Sequence, residues 1–436
     1  MIEEIDLLNM VERKRNDIIE LTRSLIRIPS VAGEERDCQN FILDRLNRLD
    51  WKMDVWEPKI SELKNHPAYS DVEKCEEVRV RNYDARPNVV ATLQGSGGGK
   101  SLILNGHVDV VPPGSREMWS HDPWGGELED GRLYGRGAVD MKGGLAAIIA
   151  AAETICEAGV SLKGNLILES VVDEESGGNG TLACLLRGYT ADAAIITEPS
   201  QLSIRNGIGL ASTGTNQYRI KVKGRSGHPS SLQFAEYVSA IDKASAILGA
   251  IKNFNSIRQQ ERLRLNPPLY RMFAVTNLIG VGKIRAGEWF SMMPNLAFIE
   301  GSTQCYPGEN LEEVKKKFAD YIASFANLDP WMRSNPPEIE FFGIHIIPTE
   351  VGTSEPIVTT VRDSARRIWK VEPTLMGLPG GSDLRIFTEY GKIPALLFGP
   401  GGGGLHAVDE FVITNDVIDI TKAIVSTICS WCRMKR

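Results

Sequence analysis

Between residues 88 and 200, short apolar runs alternate with turns and longer helical stretches. NVVATLQ (88–94), SLILNG (101–106), NLILESVV (165–172) and DAAIITE (192–198) read as strands, and DMKGGLAAIIAAAETICEAG (140–159) as a helix of small and apolar residues. Unbroken apolar runs of strand length, separated by helices, belong to a sheet covered on both faces, so this part predicts an α/β layer. Near 205–214 the pattern changes. YRIKVKGRSG (218–227) alternates with the period of a half-exposed strand, and a helix, FAEYVSAIDKASAILGAIKNF (234–254), follows. Strands are expected around FAVTNLIG (273–280), WFSMMP (289–294) and LAFIEGSTQCYP (296–307), then a helix, LEEVKKKFADYIASFA (311–326). From about 340 the α/β character resumes with PIVTTVRDSARRIWK, IPALLFG and a final helix. The simplest organisation is one α/β domain built from 1–210 and 335–436, interrupted by a smaller α+β domain at 211–334.

Composition narrows the function classes. Apolar residues make up 42% and charged residues 24%, as in a soluble globular protein, and the net charge of −7 comes without a basic cluster. Nucleic acid is therefore not expected as a partner. The first 28 residues read as a charged amphipathic helix without a signal-peptide core, and no apolar stretch is long enough to span a membrane. Seven cysteines without a regular framework fit reduced thiols in a cytoplasmic protein, and the CxxC of Cys429 and Cys432 reads as helix packing rather than redox chemistry. GSGGGKS (95–101) is one residue short of a phosphate loop and is read as a hairpin turn. GRGAVD (135–140) fails as a dinucleotide motif because no strand leads into it.

The chemistry-bearing residues gather at the carboxyl ends of the apolar strands, where open α/β sheets place their sites. His107 and Asp109 lie in HVDVVP, and Asp140 in a glycine-rich turn before the long helix, where it would also serve as an N-cap. Glu174 and Glu175 close VVDEES, Glu198 lies in TEPS, and His406 in GLHAVDE. Neighbours on a strand face opposite ways, so Glu174 and Glu175 are expected to serve different ends. Two histidines with several carboxylates form a nitrogen and oxygen donor set suited to a pair of Zn²⁺ or similar divalent ions.

HVDVVP, GRGAVDMKGG, VVDEES, TEPS, SGHPS, GGSDLR and GLHAVDE, in that order, resemble the M20 group of co-catalytic metallopeptidases and deacylases. That group includes acetylornithine deacetylase, succinyl-diaminopimelate desuccinylase, aminoacylase and glutamate carboxypeptidase. The resemblance implies a hydrolase-like (phosphorylase/hydrolase-type) catalytic domain, with helices on both faces of a mixed sheet, and an inserted ferredoxin-like lid and dimerisation domain. It implies that His107 and Glu175 bind one metal, Glu198 and His406 the other, and Asp140 both. The metals are Zn²⁺ foremost, with Co²⁺ or Mn²⁺ as substitutes. Glu174 is then the general base, Asp109 the residue orienting His107, and His228 of SGHPS an oxyanion donor reaching the partner subunit of a homodimer. Arg385 in GGSDLR matches an arginine that grips a substrate carboxylate. Ser291 and Gln304 stand where several relatives carry an asparagine and an arginine for the same purpose, which opens the expected substrates to formamides and other N-substituted amines. The function implied is hydrolysis of a small N-acylated amino acid or N-acyl or N-formyl amine. The rivals are a metallo-exopeptidase on short peptides and, more remotely, an inactive dimeric binding module.

Overall fold

The computed structural model describes residues 2–71, 82–202, 204–230, 237–273 and 278–435. The chain separates into two compact units. One comprises Met1–Ala211, Thr349–Leu378 and Ser382–Arg436; the other Ser212–Pro348 and Pro379–Gly381.

The larger unit is built on a nine-stranded sheet. Its order runs Lys52–Trp56, Asn88–Leu93, Leu166–Val171, Leu102–His107, Ala194–Ile196, Ala395–Leu397, Gly207–Ser212, Thr349–Glu350, with Thr374–Leu378 also paired to Gly207–Ser212. The central strands Leu166–Val171, Leu102–His107, Ala194–Ile196 and Ala395–Leu397 are parallel, and Lys52–Trp56 and Asn88–Leu93 are antiparallel additions, so the sheet is mixed. The strands that read as continuous apolar runs are buried along their length. The helix Gly143–Glu157 is buried on nearly every side, as its alanine and isoleucine composition requires. It packs against strands Leu102–His107 and Leu166–Val171 and against helices Thr414–Ile428 and Arg15–Arg27. Among the described residues no helix is long and apolar enough to cross a membrane.

GSGGGKS does not form a hairpin. Asn88–Leu93 and Leu102–His107 both pair with Leu166–Val171, which lies between them, so the loop crosses over that strand. Gly99 answers a close approach: a Cβ there would lie 2.3 Å from the Cys432 carbonyl oxygen and 2.4 Å from the Gly164 nitrogen.

The smaller unit is a four-stranded antiparallel sheet in the order Ile279–Ala286, Leu296–Cys305, Gly214–Lys223, Glu338–Ile346. With helices Ala240–Leu265 and Leu311–Ala326 between strands, it has the βαββαβ order of a ferredoxin-like fold. The expected boundary at 334 falls too early, because Glu338–Ile346 pairs along Gly214–Lys223 and belongs to this unit. WFSMMP is a turn, and the strand before it is Ile279–Ala286, an edge strand whose glycines and charges mask its alternation. Residues 274–277 of the expected FAVTNLIG strand lie outside the described residues.

Candidate metal centre

Five segments of the larger unit bring six side chains together. The parallel ladder sets His107 beside Val171, and Ala194–Ile196 flanks Leu102–His107 on its other side. His107 Nε2 lies 3.2 Å from Asp140 Oδ1 and 3.4 Å from Glu198 Oε1. His406 Nε2 lies 3.2 Å from Asp140 Oδ2 and 3.2 Å from Glu175 Oε2. Asp140 thus offers one oxygen to each imidazole. Its side chain caps nothing: the helix that follows begins at Gly143, and Asp140 precedes it in a tight turn with a cis bond to Met141.

The donor atoms of His107, Glu174 and Glu198, and those of Asp140, Glu175 and His406, lie within 4.8 Å of one another. Donors arranged tetrahedrally around Zn²⁺ at about 2.0–2.1 Å stand roughly 3.3 Å apart. The contacts of 3.2 to 3.4 Å match that spacing, whereas Glu174 Oε2 is 4.0 Å from His107 Nε2 and stands off it. Two further observations fit a divalent pair. Glu175 Oε1 is buried with no hydrogen-bond partner among the described residues. Four carboxylates, those of Asp140, Glu174, Glu175 and Glu198, crowd one small volume, a charge that two divalent ions would balance.

The electrostatics carry the same message. Burial pushes Glu174 well above the usual carboxylate range, with the Glu198 charge adding to it, and burial and Asp140 push Glu198 up to about 7. Burial opposes charge on both imidazoles, yet the bonds to Asp140 and Glu198 hold His107 well above its usual value. Asp140 and Glu175 raise His406 to about 11 in the same way. Against its own burial, Asp140 is held below the usual range by those two histidines.

Two expectations are corrected. The partners are exchanged: Glu198 faces His107 and Glu175 faces His406. Ala194–Ile196 is the immediate neighbour of Leu102–His107, so Glu198, two residues past its end, arrives beside His107. Glu175 lies four residues past Val171, in a turn rather than on a strand, and the turn sets its direction. Asp109 meets His107 chiefly through its backbone: Nδ1 lies 2.9 Å from the Asp109 carbonyl oxygen and 3.7 Å from Oδ1. The Asp109 carboxylate instead accepts the backbone N–H groups of Glu174 at 3.1 Å and Glu175 at 3.0 Å.

Arg385 is 0% exposed. It donates to the Gly177 carbonyl at 2.8 Å and, more weakly, to those of Ala68 and Ser382 at 3.4 Å. The guanidinium packs against the turn that carries the glutamates, and its Nε is buried with no hydrogen-bond partner among the described residues. His228 lies in the smaller unit, on an exposed loop, where its Nδ1 accepts from the Ser230 N–H at 3.2 Å.

A buried ionic cluster with no local sequence signal holds the same turn. Arg86 meets Glu35 through two bonds of 2.7 and 2.6 Å and Asp173 at 3.1 Å, and the Tyr83 hydroxyl donates to Asp173 at 2.6 Å. Asp173 directly precedes Glu174 and holds a left-handed φ of +68°. Glu410, quoted in GLHAVDE but given no part there, is buried and bonded to Arg136 at 2.6 Å.

Residues 103–430 match the model of Peptidase family M20/M25/M40. The chain is 30% identical over 446 residues to the N-formyl-4-amino-5-aminomethyl-2-methylpyrimidine deformylase of Bacillus subtilis (strain 168), covering 98% of this chain and 97% of that one. It is 36% identical over 215 residues to the succinyl-diaminopimelate desuccinylase of Methylorubrum extorquens, covering 48% of this chain and 50% of that one. In fold it is similar to the di-peptidase Dug1p from Saccharomyces cerevisiae, with a TM-score of 0.77 at 15% identity over 100% of this chain and 99% of the other. With three quarters of its length inside the family match and a full-length relative at 30% identity, the chain belongs to Peptidase family M20/M25/M40 and is a metal-dependent hydrolase.

Proposed function

We propose that the chain hydrolyses the amide bond of a small N-acyl or N-formyl amine at a centre of two divalent ions, Zn²⁺ foremost. His107 and Glu198 would hold one ion, His406 and Glu175 the other, and Asp140 both. The observation that carries this is the spacing: of four histidine–carboxylate contacts of 3.2 to 3.4 Å, two join both imidazoles to Asp140, while one carboxylate, Glu174, stands off at 4.0 Å. Ions bound there supply Lewis-acid polarisation of the amide carbonyl and acidify water. Glu174 takes the proton of the attacking water and returns it to the leaving amine nitrogen. Asp109 keeps Glu174 and Glu175 in register by holding both of their backbone N–H groups. Arg385 braces the same turn through the Gly177 carbonyl.

A formamide or related N-acyl amine is favoured as substrate by the full-length likeness to a deformylase. The smaller unit is assigned the lid and dimer roles, with His228 donating to the acyl oxyanion of the partner subunit's site. The cytoplasm is the proposed compartment, in keeping with six described cysteines that are all unpaired.

The test compares Glu174→Gln with Glu175→Gln by metal analysis and by turnover of N-formyl and N-acyl amines against dipeptides. Glu174→Gln should keep its metal and lose turnover by at least ~10³-fold, whereas Glu175→Gln should lose metal as well. Equal metal loss in both variants would refute the division of roles, and turnover confined to dipeptides would refute the substrate class.

A further inference from the structure

Glu410 lies four residues beyond His406 and is 1% exposed. Its Oε2 accepts from Arg136 Nη1 at 2.6 Å and from the Gly137 N–H at 3.0 Å. Its Oε1 accepts from the N–H groups of Val139 at 3.1 Å and Asp140 at 3.2 Å. The Gly135 N–H donates to the Glu410 backbone carbonyl at 2.8 Å. Several backbone N–H groups of one turn thus converge on a single carboxylate, as they do around a bound anion. The turn can close this tightly only with glycine at 137, where φ is +76° and a Cβ would lie 2.3 Å from Val110 Cγ1.

We propose that Glu410 is a positioning residue that sets Asp140: a carboxylate carried by the His406 loop grips the backbone of the Asp140 turn and fixes the two oxygens that Asp140 offers to the imidazoles. The inference rests on the reading of Asp140 as the shared metal ligand. Asp109 provides an independent parallel, since it follows His107 by two residues and holds the backbone of the Glu174–Glu175 turn. Each histidine-bearing loop therefore carries an acid that grips the neighbouring ligand turn. The two turns are cross-braced from behind, and a shift of either loop moves ligands on both sides of Asp140.

Glutamine at 410 would fill the same space, but its NH₂ group would face two donors whichever way the amide is flipped. Groups that orient metal ligands from behind are typically worth about 10–100-fold in metal affinity. The experiment is a chelator-competition titration of Zn²⁺ on the purified full chain, with turnover measured against free Zn²⁺ and thermal unfolding of the metal-stripped protein. Glu410→Gln should weaken Zn²⁺ binding by about 10–100-fold. It should shift the Zn²⁺ concentration for half-maximal activity by the same factor and leave KM at saturating Zn²⁺ within about twofold. Glu410→Asp, which keeps the acid but is one methylene shorter, should fall between Glu410→Gln and the parent. Zn²⁺ affinity within twofold of the parent in both variants overturns the proposal. So does a lowered unfolding midpoint of the stripped protein with unchanged Zn²⁺ affinity in the folded fraction. Asp140→Asn separates the two readings. If it keeps both metals, the assignment of Asp140 fails; if it loses metal while Glu410→Gln does not, only the role of Glu410 fails.

Discussion

Arg86→Met should be among the most damaging single changes outside the metal centre. Arg86 is 1% exposed and its two carboxylate partners, Glu35 and Asp173, are 0% exposed. The substitution removes the bidentate contact to Glu35, the contact to Asp173 and a 3.0 Å bond to the Asn82 carbonyl. Burial weighs against the arginine's charge, but Asp173 and Glu35 more than compensate and hold its pKa above the usual value. Methionine fills much of the volume and leaves two buried carboxylates without their cation. Removing one partner of a buried pair costs about 3–5 kcal/mol, because the remaining charge is left uncompensated. For a unit of this size that is a fall of roughly 5–15 °C in the unfolding midpoint. Thermal unfolding followed by circular dichroism measures it directly. Turnover should fall too, since Asp173 holds a left-handed backbone one residue before Glu174 and loses one of the groups keeping it there. Adding Glu35→Gln to Arg86→Met removes one of the stranded charges and should recover at least about 1 kcal/mol. A midpoint within about 2 °C of the parent for Arg86→Met would refute the argument, because it would mean the carboxylates find another neutralising partner at no cost.

Two further outcomes are expected. Burial pushes Glu169 up to about 8, although its Oε2 accepts from Asn105 Nδ2 at 3.0 Å. An acid raised in the folded state contributes stability that is complete below its unfolded value near 4.5 and is lost as pH climbs from there through about 8. Glu169→Gln should therefore flatten the stability profile across that window and make the protein more stable than the parent above it, and identical slopes for the two in denaturant titrations at several pH values would contradict this. Cys429 and Cys432 are buried, and burial pushes both thiols up to about 12; they should resist alkylation at pH 8 in the native protein and react once it is unfolded, and mass-spectrometric labelling of either within minutes under native conditions would overturn the packing assignment.

The strand ends were readable because burial imposes a simple rule on them. Leu102–His107, Leu166–Val171 and Ala194–Ile196 lie in the parallel centre of the mixed sheet, so their side chains are mostly apolar, with Asn105, Glu169 and Ser170 as buried exceptions, and the polar residues at and beyond their carboxyl ends stand out. Which of those polar residues meet was not readable, because it depends on strand order. Leu102–His107 lies between Leu166–Val171 and Ala194–Ile196, and nothing local in the chain states that Glu198 rather than Glu175 turns toward His107. Strand order also overturned the hairpin at GSGGGKS, since a third strand sits between the two that the loop joins. The residues behind the centre were the least legible. Arg86, Arg385 and Glu410 are charged, and charged residues are ordinarily at the surface; only the three-dimensional arrangement supplies the partners that let them be buried. The smaller unit failed at its edge for a related reason: Ile279–Ala286 is open to solvent over most of its length, so its pattern carries little apolar signal.

The place of Ala395–Leu397 in the sheet has a consequence for biosynthesis. It lies between Ala194–Ile196 and Gly207–Ser212, strands made almost two hundred residues earlier. While the chain is being translated the sheet therefore has a gap in its middle, with two facing rows of unpaired backbone groups. Non-local closure of this kind is slow and leaves sticky edges exposed to other nascent chains. The segment that fills the gap is followed nine residues later by His406, so one late event completes both the backbone ladder and the donor set. A polypeptide interrupted before residue 395 would have an open seam in its sheet and would lack the His406 side of the donor set.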